Sequence, residues 1–405
     1  MLGLLGLTAV WVAGQFFIER LDLQEYFRWY GVHYWVEGVW EVIHLSLVGF
    51  LVVLMFGANI KSVGYAVFWG IALVWLSGLL GNAHHYFWIG TPEFWQFWGS
   101  LFSALEPLPM IFCFWHIYID AHQERKPIAN KPAFAFLLGS AVLELVGAGI
   151  LGFTMTFALT NVWSHGTWIT AAHGHLALFG TFGMLGLSAA YYAVPLMRGN
   201  RGFDQRIGML AFWLVLTGML GLGFAFAVGG SLQVFVYRTL GLDWFGGDVS
   251  RAMQLGKFLL PLFGLTFIIG VALLVFDLLT MGYRASPEDT GAESGAAPGG
   301  VVTGGTTSVA PAGWRRLLTG WEAGLWLLGM LVFGAVITLG LLSFNLSGVR
   351  DGNPFLPYLM ASIGYPGLFL ITLLFIRRFL RSMEVRPALP PRVRADRGPV
   401  AEPAE

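Results

Sequence analysis

Charge is scarce in this chain and cysteine almost absent. Lys, Arg, Asp and Glu make up 11% of its 405 residues, against roughly 25% in soluble domains. Hydrophobic residues supply 56% and the mean hydropathy is +0.69, which excludes a soluble globular protein of this length. Cys113 is the sole cysteine, so an intramolecular disulfide, a CxxC pair and a CxxCH attachment motif are all excluded, and covalently bound c-type haem with them. Basic and acidic residues balance at 23 each, which by itself says nothing about partners; no nucleic acid is expected among them. The amino-terminal apolar stretch lacks a basic n-region and a small-residue cleavage site, and reads as a span rather than a signal peptide.

What the chain does have is long apolar runs. A bilayer core needs about 20 apolar residues, and ten stretches approach or exceed that: 1–17, the shortest, then 33–57, 63–82, 94–120, 132–156, 170–195, 207–231, 254–282, 319–345 and 356–378. Backbone groups in lipid must pair internally, so these are helices and the fold class is all-α, a polytopic transmembrane bundle of about ten spans. Seventeen of the 23 Lys and Arg residues follow spans two, four, six, eight and ten, which places both termini in the cytoplasm. Residues 285–313, rich in Gly, Ala, Ser and Thr, read as a disordered cytoplasmic linker, and the Pro- and Arg-rich 383–405 as a disordered tail. The domains expected are a core over 1–284, that linker, two further spans over 314–382, and the tail.

This topology gives the histidines depths. His33 begins span two, His84 and His85 end span three, and His173 and His175 begin span six, all on the outer side, so five of nine histidines share one level. Such side chains within spans are costly and mark function. Successive helical residues turn about 100°, so His84 and His85 can approach one ion from two sides, and His33 completes a three-imidazole site. His173 and His175 lie about 200° apart by the same geometry. They cannot share an ion, but each can hold a haem on its own side of one helix. Glu37, one turn after His33, adds a carboxylate, and imidazole with carboxylate suits iron better than copper. Glu41 repeats the spacing another turn inward. Glu106 falls near mid-membrane in span four, where Pro107 and Pro109 predict a kink. Glu41 and Glu106 are either buried acids satisfied locally or members of a proton relay. His44, His116, His122 and His165 read as structural, and Glu144 and Asp277 as local polar contacts.

The stretches HYWVEGVWEVI, GNAHHYFWIGTPEFW, FSALEPLP and HGTWITAAHGHLALFG, in that order, resemble the motifs of the catalytic large subunit of bacterial nitric oxide reductase, a branch of the haem-copper oxidase superfamily, over about residues 1–282. The resemblance implies that His33, His84, His85 and Glu37 bind a non-haem iron. It makes His173 the proximal ligand of a high-spin haem b and His175 one axial ligand of a low-spin haem b, with Glu106 and Glu41 assisting proton delivery. The implied reaction joins two NO, two electrons and two protons into nitrous oxide and water, with protons drawn from the outer side. Electrons would come from a membrane cytochrome c subunit or from quinol, in the bacterial inner (cytoplasmic) membrane, with membrane lipid around the chain. The family's second axial histidine comes from an early helix upstream of the segment where this chain begins; no histidine here matches it, so a core lacking its first helices is expected. Two other readings compete. An oxygen-reducing oxidase would hold copper, and many such enzymes carry a tyrosine where Glu37 stands. A non-catalytic remnant would keep the fold without the chemistry.

Overall fold

Gly57 and Asn59 show how the sequence turns one span into the next. Gly57 takes φ 66°, the left-handed conformation that closes a helix cheaply only without a side chain, and the Asn59 side chain accepts from the amides of Lys61 and Ser62 to open the following helix. Asn130, Thr167 and Asp204 cap three more helix starts in the same way. The structure, a computed structural model, describes residues 2–113, 128, 130–198, 203–281, 321–346 and 355–382. The expected linker 285–313, the tail 383–405, His116, His122 and the inward part of the fourth expected span lie outside the described residues.

In chain order the helices are α1 (Leu2–Ala13), α2 (Leu21–His33, a π-helical Tyr34–Trp40, then Glu41–Phe56), α3 (Ile60–Gly81, tightening to 3-10 over Asn82–Tyr86) and α4 (Phe94–Leu105, resuming over 107–113). There follow α5 (Lys131–Leu143, π-helical Glu144–Ile150, Leu151–Met155), the short α6 (Ala158–Ser164) and α7 (Trp168–His175, π-helical Leu176–Gly183, Met184–Met197). The rest are α8 (Gln205–Val234, π-helical Phe235–Thr239), α9 (Gly247–Ala252), α10 (Gln254–Thr280), α11 (Trp321–Leu346) and α12 (Phe355–Leu359, π-helical Met360–Gly364, Tyr365–Ser382).

Among the described residues eight helices are long and apolar enough to cross a membrane, so the chain is a polytopic helical membrane protein. Two expectations need correction. The first expected span, 1–17, is helical over Leu2–Ala13. It stops at Gly14, and the Gln24 side chain, accepting from Ile18 N and donating to Phe16 O, fastens the non-helical turn that follows. Nor does His33 begin a helix, because α2 already runs from Leu21. Residues 21–32 carry Asp22, Gln24, Glu25 and Arg28, which hide this outer extension from a hydropathy window but not from the helix.

The core explains why these helices stay together. Leu143, Val146, Leu176, Met184, Phe212, Val215 and Leu216 are buried in one cluster with Ile337 and Leu341 of α11 and Tyr365 and Leu368 of α12. The last two spans therefore pack into the same core as α5, α7 and α8. Helices α8 and α10 lie against each other along most of their length. A Cβ on Gly218 would come 2.6 Å from Phe267 N, and one on Gly270 would come 2.7 Å from Val215 N, so small residues set this approach as they do between membrane helices generally. Asp277 on α10 accepts from the Tyr191 hydroxyl at 3.0 Å, the local polar contact expected of it.

Candidate metal centre

Three helix irregularities meet at one place. The π-turn of α2 begins directly after His33 and contains Glu37. The 3-10 end of α3 carries His84 and His85, and the break in α4 falls at Glu106. Departures of this kind re-aim side chains and cluster at functional sites. Here they bring ligand atoms of His33, His84 and His85 within 4.8 Å of one another, and those of His33, Glu37 and Glu106 likewise. The His84 and His85 Nε2 atoms are 3.0 Å apart, and Glu37 Oε2 lies 2.9 Å from His33 Nε2. The Glu37 and Glu106 carboxyls share a hydrogen bond, and Glu41 lies within Coulombic reach of both. All six residues expected from sequence are thus together, with Glu41 one turn farther in.

The hydrogen bonds settle which ring nitrogens are free. Carbonyl oxygens only accept, so His33 Nε2–H donates to Gly78 O at 2.9 Å, and His33 Nδ1 is buried without a hydrogen-bond partner among the described residues. The Ser103 hydroxyl has Gly81 O at 3.1 Å to donate to, so its oxygen accepts from His84 Nδ1–H and leaves the lone pair on His84 Nε2, facing His85. His173 Nδ1–H donates to Gly147 O at 2.8 Å and His175 Nδ1–H to Ala171 O at 2.8 Å, freeing Nε2 on each. A ring N–H tied to an oxygen with the opposite nitrogen free is the arrangement of metal-bound histidines. The residues therefore fit a metal ion in two overlapping donor groups that share His33, one of three imidazoles and one of His33 with Glu37 and Glu106.

His173 and His175 face different neighbours. His173 sits against α5 and within Coulombic reach of His84 and His85. His175 is exposed and its ring lies 4.7 Å from that of Phe226 on α8. The two rings thus point to different sides of α7. His165, in the loop between α6 and α7, contributes its backbone oxygen to Arg238 at 2.9 Å; burial first, and the nearby guanidinium second, hold its imidazole below the ordinary histidine range.

Sequence reasoning missed the residues that make room. A Cβ on Gly99 of α4 would collide with the backbone of Ala83 and His84, and one on Gly81 with the Glu106 carboxylate. On Gly147, a Cβ would come 2.7 Å from Leu176 C, so Gly147 lets α5 approach α7 and offer its carbonyl to His173. Trp29 stacks on His85 at 4.9 Å and 8°, and the Trp75 indole donates to Gly38 O at 3.0 Å within the π-turn of α2. A usable signal existed in GLLG over 78–81 and in Ser103, three residues before Glu106 and so on its helix face. Gly99→Ala is accordingly expected to cost about 1–3 kcal/mol of stability, as overpacking does, and to lower bound metal. Gly64→Ala, whose Cβ meets open space, leaves both unchanged, and thermal unfolding with metal analysis compares the two.

Over residues 1–271 the chain matches the family described as cytochrome c and quinol oxidase polypeptide I. One similar curated relative is a nitric oxide reductase subunit from Stutzerimonas stutzeri, 34% identical over 279 residues, which are 68% of this chain and 58% of that protein. The chain thus spans less than two thirds of that relative's length. Because the family match takes in 271 of 405 residues and every histidine and carboxylate of the cluster, the chain belongs to the family of cytochrome c and quinol oxidase polypeptide I, within the haem-copper oxidases.

Proposed function

We propose that the chain is an oxidoreductase of the nitric oxide reductase type, converting two NO, two electrons and two protons into nitrous oxide and water. The observation that carries this reading is Glu37 beside His33, which is itself grouped with His84 and His85, because a carboxylate added to imidazoles suits iron better than copper. His33, His84, His85 and Glu37 would hold the non-haem iron, His173 the high-spin haem b, and His175 one side of a low-spin haem b. When bound, the paired irons would supply electrons and a place for two NO molecules to meet.

The chain's own residues handle protons and water. Two carboxyls in hydrogen-bond contact, Glu37 and Glu106, hold one proton between them, since both cannot carry charge at that separation. Ser103, within 3.4 Å of Glu106 Oε1 and bonded to His84, orients both groups. Glu41 stands behind them as the next holder. Trp29 and Tyr34 wall the histidines with aromatic surface, which keeps bulk water off while admitting a small apolar gas. Electrons would arrive through the His175 side of α7 from a cytochrome c subunit or quinol, in the bacterial inner membrane with both termini cytoplasmic. On this reading residues 1–284 form the catalytic core and 314–382 an appended pair of spans.

Purified in detergent, the chain is expected to carry iron beyond that of its haem and no copper, and its ferrous high-spin haem to change spectrum on adding NO. Copper in place of the extra iron would turn the reading to oxygen reduction. A chain without an NO-binding haem would end it.

A further inference from the structure

Outside the metal cluster the bundle buries a second group of titratable side chains, which the proposed chemistry has not used. His44 on α2 and Glu144 on α5 are 0% and 3% exposed, and His44 Nδ1 lies 3.1 Å from Glu144 Oε2. The protons around them can be placed. The Ser140 hydroxyl donates to Thr181 O at 2.7 Å, so its oxygen is an acceptor for His44 Nε2–H at 2.9 Å. With Nε2 carrying a hydrogen, the opposing Nδ1 and Oε2 hold one proton between them, as imidazolium with carboxylate or as imidazole with carboxylic acid. Glu144 Oε1 is buried with no hydrogen-bond partner among the described residues, which leaves that carboxyl free to take part in a transfer.

The position is as informative as the chemistry. His44 is eleven residues along α2 from His33, about 16 Å at 1.5 Å per residue, and Glu37 and Glu41 lie between them. Glu41 is within Coulombic reach of Glu37, Glu106 and Glu144 alike. The buried groups therefore form one row: Glu106, Glu37, Glu41, then Glu144 with His44. Among the described residues that also face the pair are Cys113, from the helical turn over 107–113, and the Phe182 ring of α7 at 5.7 Å, which does not titrate.

We propose that His44 and Glu144 are a proton-holding station at the inner end of this row, supplying through Glu41 the second of the two protons that a turnover consumes. This rests on the reading of the chain as a nitric oxide reductase. In the transfer the His44 Nδ1–H bond breaks as the Glu144 O–H bond forms, and the Glu144 O–H bond then breaks as an O–H bond forms on Glu41. Between turnovers the proton is replaced along the same row from the outer side, leaving no net charge behind. A purely structural clamp between α2 and α5 would need the same contacts but would move no proton.

Two variants separate the alternatives. Glu144→Gln keeps the shape and removes the exchangeable acid. The pair His44→Met with Glu144→Leu removes both partners, which buried ion pairs tolerate far better than loss of one. Both are expected to keep haem and metal content, to lose about a hundredfold in multiple-turnover rate, the lower end of what a positioned proton donor contributes, and to show a rate that falls with rising pH where the wild type holds level. Glu144→Asp is expected to recover most of the loss. Wild-type rate and pH profile in the doubly apolar variant would overturn the proposal. If the wild type itself reduces no NO, the functional reading fails, and the pair is judged by infrared difference spectra on reduction of the metal-loaded protein. A carboxylic-acid carbonyl band absent from Glu144→Gln supports the station, and a band unchanged in that variant removes it.

Discussion

Replacing His84 with leucine is expected to empty the non-haem metal site while leaving haem bound. His84 presents Nε2 to the site because its Nδ1–H is committed to Ser103, so leucine removes one of three imidazoles and a neutral side chain of similar bulk takes its place. Loss of an outer partner such as Ser103 weakens metal binding by about 10–100-fold, and loss of a ligand should exceed that. The two substitutions form a graded series: Ser103→Ala retains metal at high supply and loses it under mild chelation, whereas His84→Leu does not load at any supply. Metal per protein, measured beside haem per protein, checks both. His165→Leu, outside the cluster, is the control that should alter neither. Normal metal content in His84→Leu would mean that the site is not where the imidazoles converge.

The other large effect is expected at Glu37. Glutamine there keeps an oxygen near the ion and the shape of the side chain, so metal and NO binding should survive with weakened affinity. What disappears is the ability to hold and deliver a proton beside Glu106. A positioned proton donor contributes about 10²–10⁴-fold in rate, and Glu37→Gln should lose an amount in that range, with the loss in kcat rather than in the binding of NO. Glu106→Gln should show a smaller loss of the same kind, because Glu106 meets the site through Glu37 and Ser103. A Glu37→Gln protein turning over at the wild-type rate would show that protons reach the site another way.

Why these residues could be found in the sequence, and others not, has a physical explanation. Ionisable side chains stand out against apolar spans, and depth alone aligned His33, His84, His85 and His173. The spacing of Glu37 and Glu41 followed from helical periodicity. Hydropathy did not show that α2 starts at Leu21, because Asp22, Glu25 and Arg28 make its outer turns look like a loop. Periodicity did not show the π-turns either, since one added residue shifts a face without changing composition. His44 and Glu144 are separated by a hundred residues, and each taken singly looked like a structural histidine or a local acid; only the packing of α2 on α5 pairs them. For the same reason the last two spans had no assignment from sequence, yet Ile337, Tyr365 and Leu368 prove to be part of the main core.

The π-turn over Tyr34–Trp40 has one further consequence, which is best seen at the level of the gene. A π-turn holds one residue more than the α-helical turn it replaces, so it corresponds to a single inserted codon. Deleting one codon from that stretch would let α2 run as ordinary helix with its two ends still in phase, whereas keeping the residue and forcing the turn into α geometry would rotate everything before it by about 100° relative to everything after it. His33 would then face away from His84 and His85 while His44 still faced Glu144. The two ends of α2 stay in phase because the π-turn absorbs that extra amino acid, so the added residue is tolerated only as long as the turn stays wide.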